Sequence, residues 1–226
     1  MKNTLTLLRN IPVTLSSAQL LARKALVLPS EIYQALIGQL LGDAYAYRST
    51  PTANTRIEWS FGAARGAYAE WVASIVSLYC NTGVLVKSTG AAGYRLKTIT
   101  LKLFNSLFEM FYILDNSTGK YVKVVPAAIN ELMTPIVLAH LIMGDGNYVP
   151  RERTVRIYTN GFTHGDCVRL AAAITNMGIA TTVRKDRIGS KGEVQYILAI
   201  NRTVIAKLQA TVSPHMHDSM LYRVGL

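Results

Sequence analysis

Apolar residues fall into two kinds of run along this chain. In two places they are almost continuous. SEIYQALIGQLLGDAY, from Ser30, and TPIVLAHLIMGDGNY, from Thr134, each read as a helix that is apolar all round. Ser30 and Thr134 are the expected N-caps, with Pro135 at the first helical position of the second run. A helix with no polar face has to be buried, and the simplest partner for each is the other. Their acids after the first turn are Asp43 and Asp145, each directly following a glycine, Gly42 or Gly144.

Elsewhere the apolar positions are spaced, and the spacing repeats. Arg56-Ile57-Glu58-Trp59-Ser60-Phe61 alternates as a half-buried strand does, and a helix is expected over about Tyr68 to Asn81, with Trp71, Val72, Ile75, Leu78 and Tyr79 at helical intervals. In the second half Val155 to Asn160 alternates likewise, and Thr163 to Met177 reads as a helix. Glycines 83 and 178 stand as C-caps. Each half then predicts a hairpin, Val84 to Leu101 or Thr181 to Ile200, and a closing helix, near Leu101 to Leu114 or Asn201 to Val212. The reading is an α+β fold with an N-terminal extension over 1–28 and two pseudo-symmetric halves, 29–126 and 127–226, joined near Pro126 to Met133.

Spacing extends to candidate chemistry. Glu58 follows Asp43 at the same offset at which Asn160 follows Asp145, and Lys123 and Arg223 follow the two aspartates at nearly equal offsets. A carboxylate at a helix C-terminus opposes the macrodipole, at about 0.3–1 kcal/mol. Two of them brought together repel as well. A divalent cation relieves both, and an oxygen set of one or two carboxylates plus substrate phosphate suits Mg²⁺. Glu58 and Asn160, on the even-numbered strand faces, are placed to hold an attacking water, and Lys123 and Arg223 to stabilise charge developing on a phosphate. His140, which stands where the first motif has Gly38, reads as a hydrogen-bonded core residue. Gly38-x-x-x-Gly42 permits close helix approach.

Charge then names the partner class. Twenty-four Lys and Arg against 13 Asp and Glu give a net charge of +11, in a chain that is 50% hydrophobic with mean hydropathy +0.22. The apolar fraction excludes a disordered basic tail, and apolar runs of only about a dozen residues are too short for membrane helices. With the charge on strands and loops, nucleic acid is favoured over a membrane surface. Cys80 and Cys167 show no metal-ligand spacing, which argues against structural zinc or a disulfide framework. The N-terminal extension holds Lys2, Arg9, Arg23 and Lys24 and no acid, the flavour of an organellar transit peptide, although Leu20, Leu21, Ala25 and Leu28 equally suit a short helix on the body.

The segments Leu36-Ile37-Gly38-Gln39-Leu40-Leu41-Gly42-Asp43-Ala44 and Leu138-Ala139-His140-Leu141-Ile142-Met143-Gly144-Asp145-Gly146 resemble the motifs of the LAGLIDADG homing endonucleases, in the monomeric form with two copies. The similarity runs from about residue 30 to the C-terminus. It implies αββαββα halves, each with a four-stranded antiparallel sheet, that together form a saddle over the major groove of double-stranded DNA at a long, nearly asymmetric target. It further implies that Asp43 and Asp145 bind Mg²⁺ with backbone carbonyls such as those of Gly42 and Gly144, two or more ions in all. Mn²⁺ would substitute and Ca²⁺ would support binding without cleavage, which leaves short 3′ overhangs. Lys123 and Arg223 match the flanking basic positions; an arginine keeps its charge but donates no proton at neutral pH, so the two sites need not be equally fast. The DNA-reading candidates are Arg56, Arg95, Lys97, Arg156, Tyr158, Arg184, Arg187, Lys191 and Gln195. Family members also serve as intron RNA-splicing maturases, and the family implies a mitochondrial or chloroplast setting.

Overall fold

The computed structural model describes residues 25–81, the backbone of 85–87, and residues 93–190 and 192–226. The transit-peptide reading of residues 1–28, the C-cap at Gly83 and the tip residue Lys191 fall wholly or largely outside these. The first half runs α1 (Ser30–Leu41), β1 (Tyr45–Tyr47), β2 (Arg56–Gly62), α2 (Gly66–Ile75), β3 (Leu85–Lys87), β4 (Gly93–Lys97) and α3 (Asn105–Phe111). A hairpin, β5 (Tyr112–Asp115) and β6 (Lys120–Lys123), and a short α4 (Ile129–Leu132) lead into the second half. There α5 (Pro135–Asp145), β7 (Gly146–Val149), β8 (Thr154–Tyr158), α6 (His164–Asn176), β9 (Thr181–Ile188), β10 (Val194–Ile200) and α7 (Ile205–Val212) repeat the order of the first.

The two sheets share one topology, antiparallel β1-β2-β4-β3 and β7-β8-β10-β9. Helices cover one face of each, and the odd-numbered positions Ile57, Trp59, Phe61, Val155 and Ile157 point into a single core. The even positions of β2 and the middle and end of β8 stay half-buried or exposed, as alternation requires. Between the halves α1 packs on α5, and Ala35 to Leu41 and Val137 to Gly144 are all buried. Gly38 lets them meet: a Cβ there would lie 2.4 Å from the Val137 carbonyl oxygen and 2.6 Å from His140 Cβ. Bulk on one helix thus fills the gap left on the other. The link to the second half is strapped down, with Val125 N–H donating to Asp166 and Asn176 donating to Asn130.

Several boundaries differ from the sequence reading. Pro29, not Ser30, is the N-cap of α1, and the Ser30 hydroxyl accepts from Gln34. The proline, with φ of −55° and extended ψ, already turns the chain into the helix. By contrast Thr134 does cap α5, and Thr163 caps α6 in a reciprocal box with Asp166. The helix expected to Asn81 stops at Ile75 and continues as a 3₁₀ turn over Ser77–Tyr79, whose three-residue period suits the burial of both Val76 and Tyr79. Similarly, the helix expected to Leu114 ends at Phe111, where β5 begins. The second half has no matching hairpin among the described residues and closes in 3₁₀ turns, Ser213–His215 and Asp218–Val224.

Candidate nuclease centre

The ends of α1 and α5 abut. A Cβ placed on Gly42 would stand 3.4 Å from Asp145 Oδ2, and one on Gly144 would stand 3.3 Å from the Asp43 amide nitrogen. Both aspartates therefore reach the same place. Burial, and then the neighbouring Asp43 charge, raise the Asp145 carboxyl to about 7, against the pull of Lys123, Arg223 and Arg65. A buried carboxyl raised by a neighbouring like charge is one whose ionised form a divalent cation would favour. Among the described residues no group of three or more His, Cys, Asp or Glu side chains gathers to hold a metal, so an ion at this point has two protein carboxylates and needs water or phosphate oxygens for the rest.

Basic groups reach the centre by unlike routes. Lys123, at the end of β6, donates to the carbonyls of Gly42 at 3.0 Å and Ala44 at 2.9 Å. Arg223, from the last 3₁₀ turn, donates to the Gly146 carbonyl. Ala44 and Gly146 each follow their aspartate, so a hairpin on one side and a 3₁₀ turn on the other put a cation on equivalent atoms. Burial lowers the Lys123 ammonium to about 8, though Asp145 and Asp43 favour its charge. Arg223 is buried, and its Nε has no partner among the described residues. The Gly42 carbonyl, an expected metal ligand, is held here by the lysine.

Arg65 completes the centre and is not among the sequence candidates. Its Nη1 lies 2.6 Å from Asp43 Oδ2, and the side chain also lines the cleft of about 350 Å³ beside Asp145, together with Asn147, Tyr158, Tyr222 and Arg223. The available signal is a lone arginine among small residues, Gly62-Ala-Ala-Arg-Gly66, directly after the strand that pairs beside Asp43. Asn147, the second residue of β7, lines the same cleft and is likewise not among the sequence candidates.

The equal spacing of Glu58 and Asn160 from their aspartates does not make them counterparts. Glu58 is paired across its strands with Tyr45, while Asn147, the equivalent of Tyr45, is paired with Arg156. The cause is loop length: residues 48–55 link β1 to β2, but only 150–153 link β7 to β8. Glu58 is engaged by the Tyr45 hydroxyl and the Arg56 guanidinium. Burial alone would raise its carboxyl, but these bonds and the charges of Arg56 and Lys97 hold it below its ordinary value. Asn160 lies beyond the end of β8, with its Oδ1 buried and without a partner among the described residues.

The reading candidates divide between the two sheets. Tyr45, Glu58 and Lys97 form one cross-strand row, with Ser60 and Arg95 in the next; Lys97 and Arg95 are exposed, and Arg56 stacks over Tyr47 at 4.0 Å. In the second sheet Tyr158 pairs through Ile197 to an exposed Arg184, and Arg156 is bound by Glu152. Arg187 donates to Gln195 at 3.0 Å, so those two act as a unit. His140 is buried and hydrogen-bonded, and Cys80 and Cys167 are free thiols. No helix among the described residues is long and apolar enough to cross a membrane.

Comparison with known proteins places this geometry. A profile described as the LAGLIDADG DNA endonuclease family matches residues 33–208. Cytochrome b mRNA maturase bI2 of Saccharomyces cerevisiae is 28% identical over 204 residues, 86% of this chain and 47% of that one. DNA endonuclease I-ChuI of Chlamydomonas applanata is 28% identical over 131 residues, 57% of this chain and 60% of that one. The chain thus spans about half the length of the curated relatives it matches. The solved structure of the homing endonuclease I-WcaI bound to its DNA recognition sequence superposes with a TM-score of 0.77 at 19% identity, over 98% of this chain and 97% of that one, a likeness of fold.

Proposed function

The chain belongs to the LAGLIDADG DNA endonuclease family, and from that premise we propose that it is a site-specific homing endonuclease that hydrolyses both strands of a long, nearly asymmetric DNA target with Mg²⁺ and leaves short 3′ overhangs. The observation that carries this reading is the meeting of Asp43 and Asp145 at abutting helix ends, each followed by a carbonyl that accepts from a basic side chain. Asp43 and Asp145 are the residues that hold the divalent ion, with Mn²⁺ able to replace Mg²⁺ and Ca²⁺ supporting binding alone. When bound, such an ion polarises the phosphodiester and acidifies a coordinated water.

The protein's own groups do the rest. Lys123, Arg223 and Arg65 stabilise the charge that builds on the scissile phosphate. Lys123, held near neutrality, is able to give up a proton; Arg223 is not, which makes the two strands unequal substrates. Glu58 and Asn160 are assigned to the attacking waters from positions that are not symmetry mates, and an Asn160 Oδ1 without a partner among the described residues supports an acceptor role. The outer rows of Arg56, Lys97 and Arg95 and of Arg156, Tyr158 and Arg184 read the duplex, one sheet per half-site, in a monomer. An organellar compartment that houses mobile introns is the setting this function implies.

A second reading, intron RNA splicing, is favoured by likeness to a maturase over most of this chain. Selection from a randomised duplex library, once with Mg²⁺ and once with Ca²⁺, separates the two. Tight binding in both and double-strand cleavage in Mg²⁺ alone is the expected result. Uncut DNA in Mg²⁺ together with tight intron-RNA binding favours the maturase. Asp43→Asn and Asp145→Asn are each expected to abolish double-strand cleavage and leave binding intact; a mutant that cuts both strands normally removes its aspartate from the centre.

A further inference from the structure

One turn before the two aspartates, the interface of α1 and α5 is crossed by a polar contact that the motif's apolar pattern does not require. Gln39 is only 3% exposed and His140 4%. The Gln39 Nε2 amide meets His140 Nδ1 at 3.0 Å and donates to the Tyr68 hydroxyl at 3.0 Å, while Gln39 Oε1 accepts from Trp59 Nε1 at 3.1 Å. Because the amide nitrogen is a donor, Nδ1 is the acceptor and the imidazole proton sits on Nε2. The ring is also fixed in its plane, stacked on Trp71 at 5.3 Å with 11° between planes. Gly38, which admits the ring, has no room for a Cβ.

We infer that Gln39 and His140 are positioning residues, a lock that fixes the axial register of α1 against α5 and so sets the separation of Asp43 and Asp145. This rests on the reading that those carboxylates hold a divalent ion. Two all-apolar helices pack well at more than one register, whereas a buried polar pair has partners at only one. A slip of one residue moves a side chain by about 1.5 Å along the axis. It would break the Gln39–His140 bond and leave the buried imidazole without its donor, while Gln39 keeps Trp59 and Tyr68, which belong to its own half. The same slip would move the carboxylates by a like amount, and Mg²⁺ tolerates far less. The lock is also one-sided: the positions equivalent to Gly38 and Gln39 in the second motif are His140 and Leu141, so neither half offers itself the same fit.

The test compares His140→Asn, whose carbonyl oxygen stands where Nδ1 stood, with His140→Leu, which fills the space without an acceptor. Mn²⁺ affinity of the DNA-free protein is read from the resonance of free Mn²⁺, beside the melting temperature and the Mg²⁺ concentration for half-maximal cleavage. His140→Leu is expected to weaken Mn²⁺ binding about tenfold or more, the scale seen when a group that orients metal ligands is lost, with His140→Asn within about twofold of the parent. If His140→Leu does not fold, His140→Gln, whose amide sits one methylene further out, must show the same loss. A variant that lacks the acceptor, melts lower and still binds Mn²⁺ as the parent does overturns the inference and leaves His140 as packing. Absence of Mn²⁺ binding in the parent removes the metal centre itself and this inference with it.

Discussion

Replacing Gly38 by alanine should destabilise the protein although alanine is the better helix former. The propensity gain is about 1 kcal/mol. Against it stand a Cβ at 2.4 Å from the Val137 carbonyl oxygen and at 2.6 Å from His140 Cβ, two atoms that cannot rotate out of the way. Overpacking of that kind costs about 1–3 kcal/mol. Parting the helices also stretches the buried Gln39–His140 bond, which adds roughly 1–3 kcal/mol. The net loss is therefore about 3 kcal/mol, or roughly 6–12 °C in melting temperature for a chain of this size. Gly144→Ala is the control: its nearest neighbour, the Asp43 amide at 3.3 Å, need yield only slightly. Its melting temperature should stay within about 4 °C of the parent, while cleavage falls because the atom that yields belongs to a catalytic residue. Denaturant and thermal unfolding of both variants supply the measurement. A Gly38→Ala protein as stable as the parent would refute the claim that the helices touch there through backbone.

Other consequences follow from the charges. Burial, with a smaller effect of His215, lowers His140 to about 4 from an ordinary 6.5, so the folded chain refuses a proton that the unfolded chain accepts. Its contribution is complete above pH 6.5 and is lost as pH falls to 4, about 3 kcal/mol in all. Asp145, raised to about 7, works oppositely in the metal-free protein and adds stability as pH falls from about 7 toward 4. The two windows overlap, so the His140 effect has to be read as the difference between the parent and His140→Asn in urea unfolding at pH 7 and pH 4.5; a difference that does not change with pH sinks it. Lys123→Met should lower cleavage of one strand more than the other, seen as nicked circles on a supercoiled target, and equal loss on both strands would contradict the unequal roles of Lys123 and Arg223. DNA affinity should drop steeply with salt, about 10³- to 10⁵-fold between 50 and 200 mM if six to ten phosphates are contacted, and a flat dependence in filter binding would argue against a phosphate-dominated grip.

Much of the fold is legible in the sequence because its strongest signals are local. The two all-apolar helices, the strand alternation and the Thr134 cap each depend on a few neighbouring side chains. What stays hidden depends on distant packing. The β5–β6 hairpin begins inside the helix expected from Leu101 to Leu114, and its exposed Ile113, Leu114, Tyr121 and Val122 give no amphipathic pattern to reveal it. The Glu58–Asn160 match misleads because counting along the chain ignores loop length, whereas hydrogen-bond register does not. Arg65 cannot be found by symmetry, since the second half closes its sheet without an equivalent arginine turn.

The pseudo-two-fold is strict where backbone meets backbone and loose where only a charge has to arrive. At the α1–α5 contact the glycines of each motif face the other helix, and a single methyl group is enough to part them at Gly38. Lys123 and Arg223 instead come from a strand end and a 3₁₀ turn, and both settle on the carbonyl after an aspartate. A flexible cationic side chain spans several ångströms, so many backbones can deliver it to one point, whereas two carboxylates at the ends of packed helices have far less freedom. The near-equal offsets of Lys123 and Arg223 from their aspartates thus reflect a shared destination reached along different paths. Of the two features, the helix contact is the one whose geometry sets the site, and it is there that the polar lock of Gln39 and His140 lies.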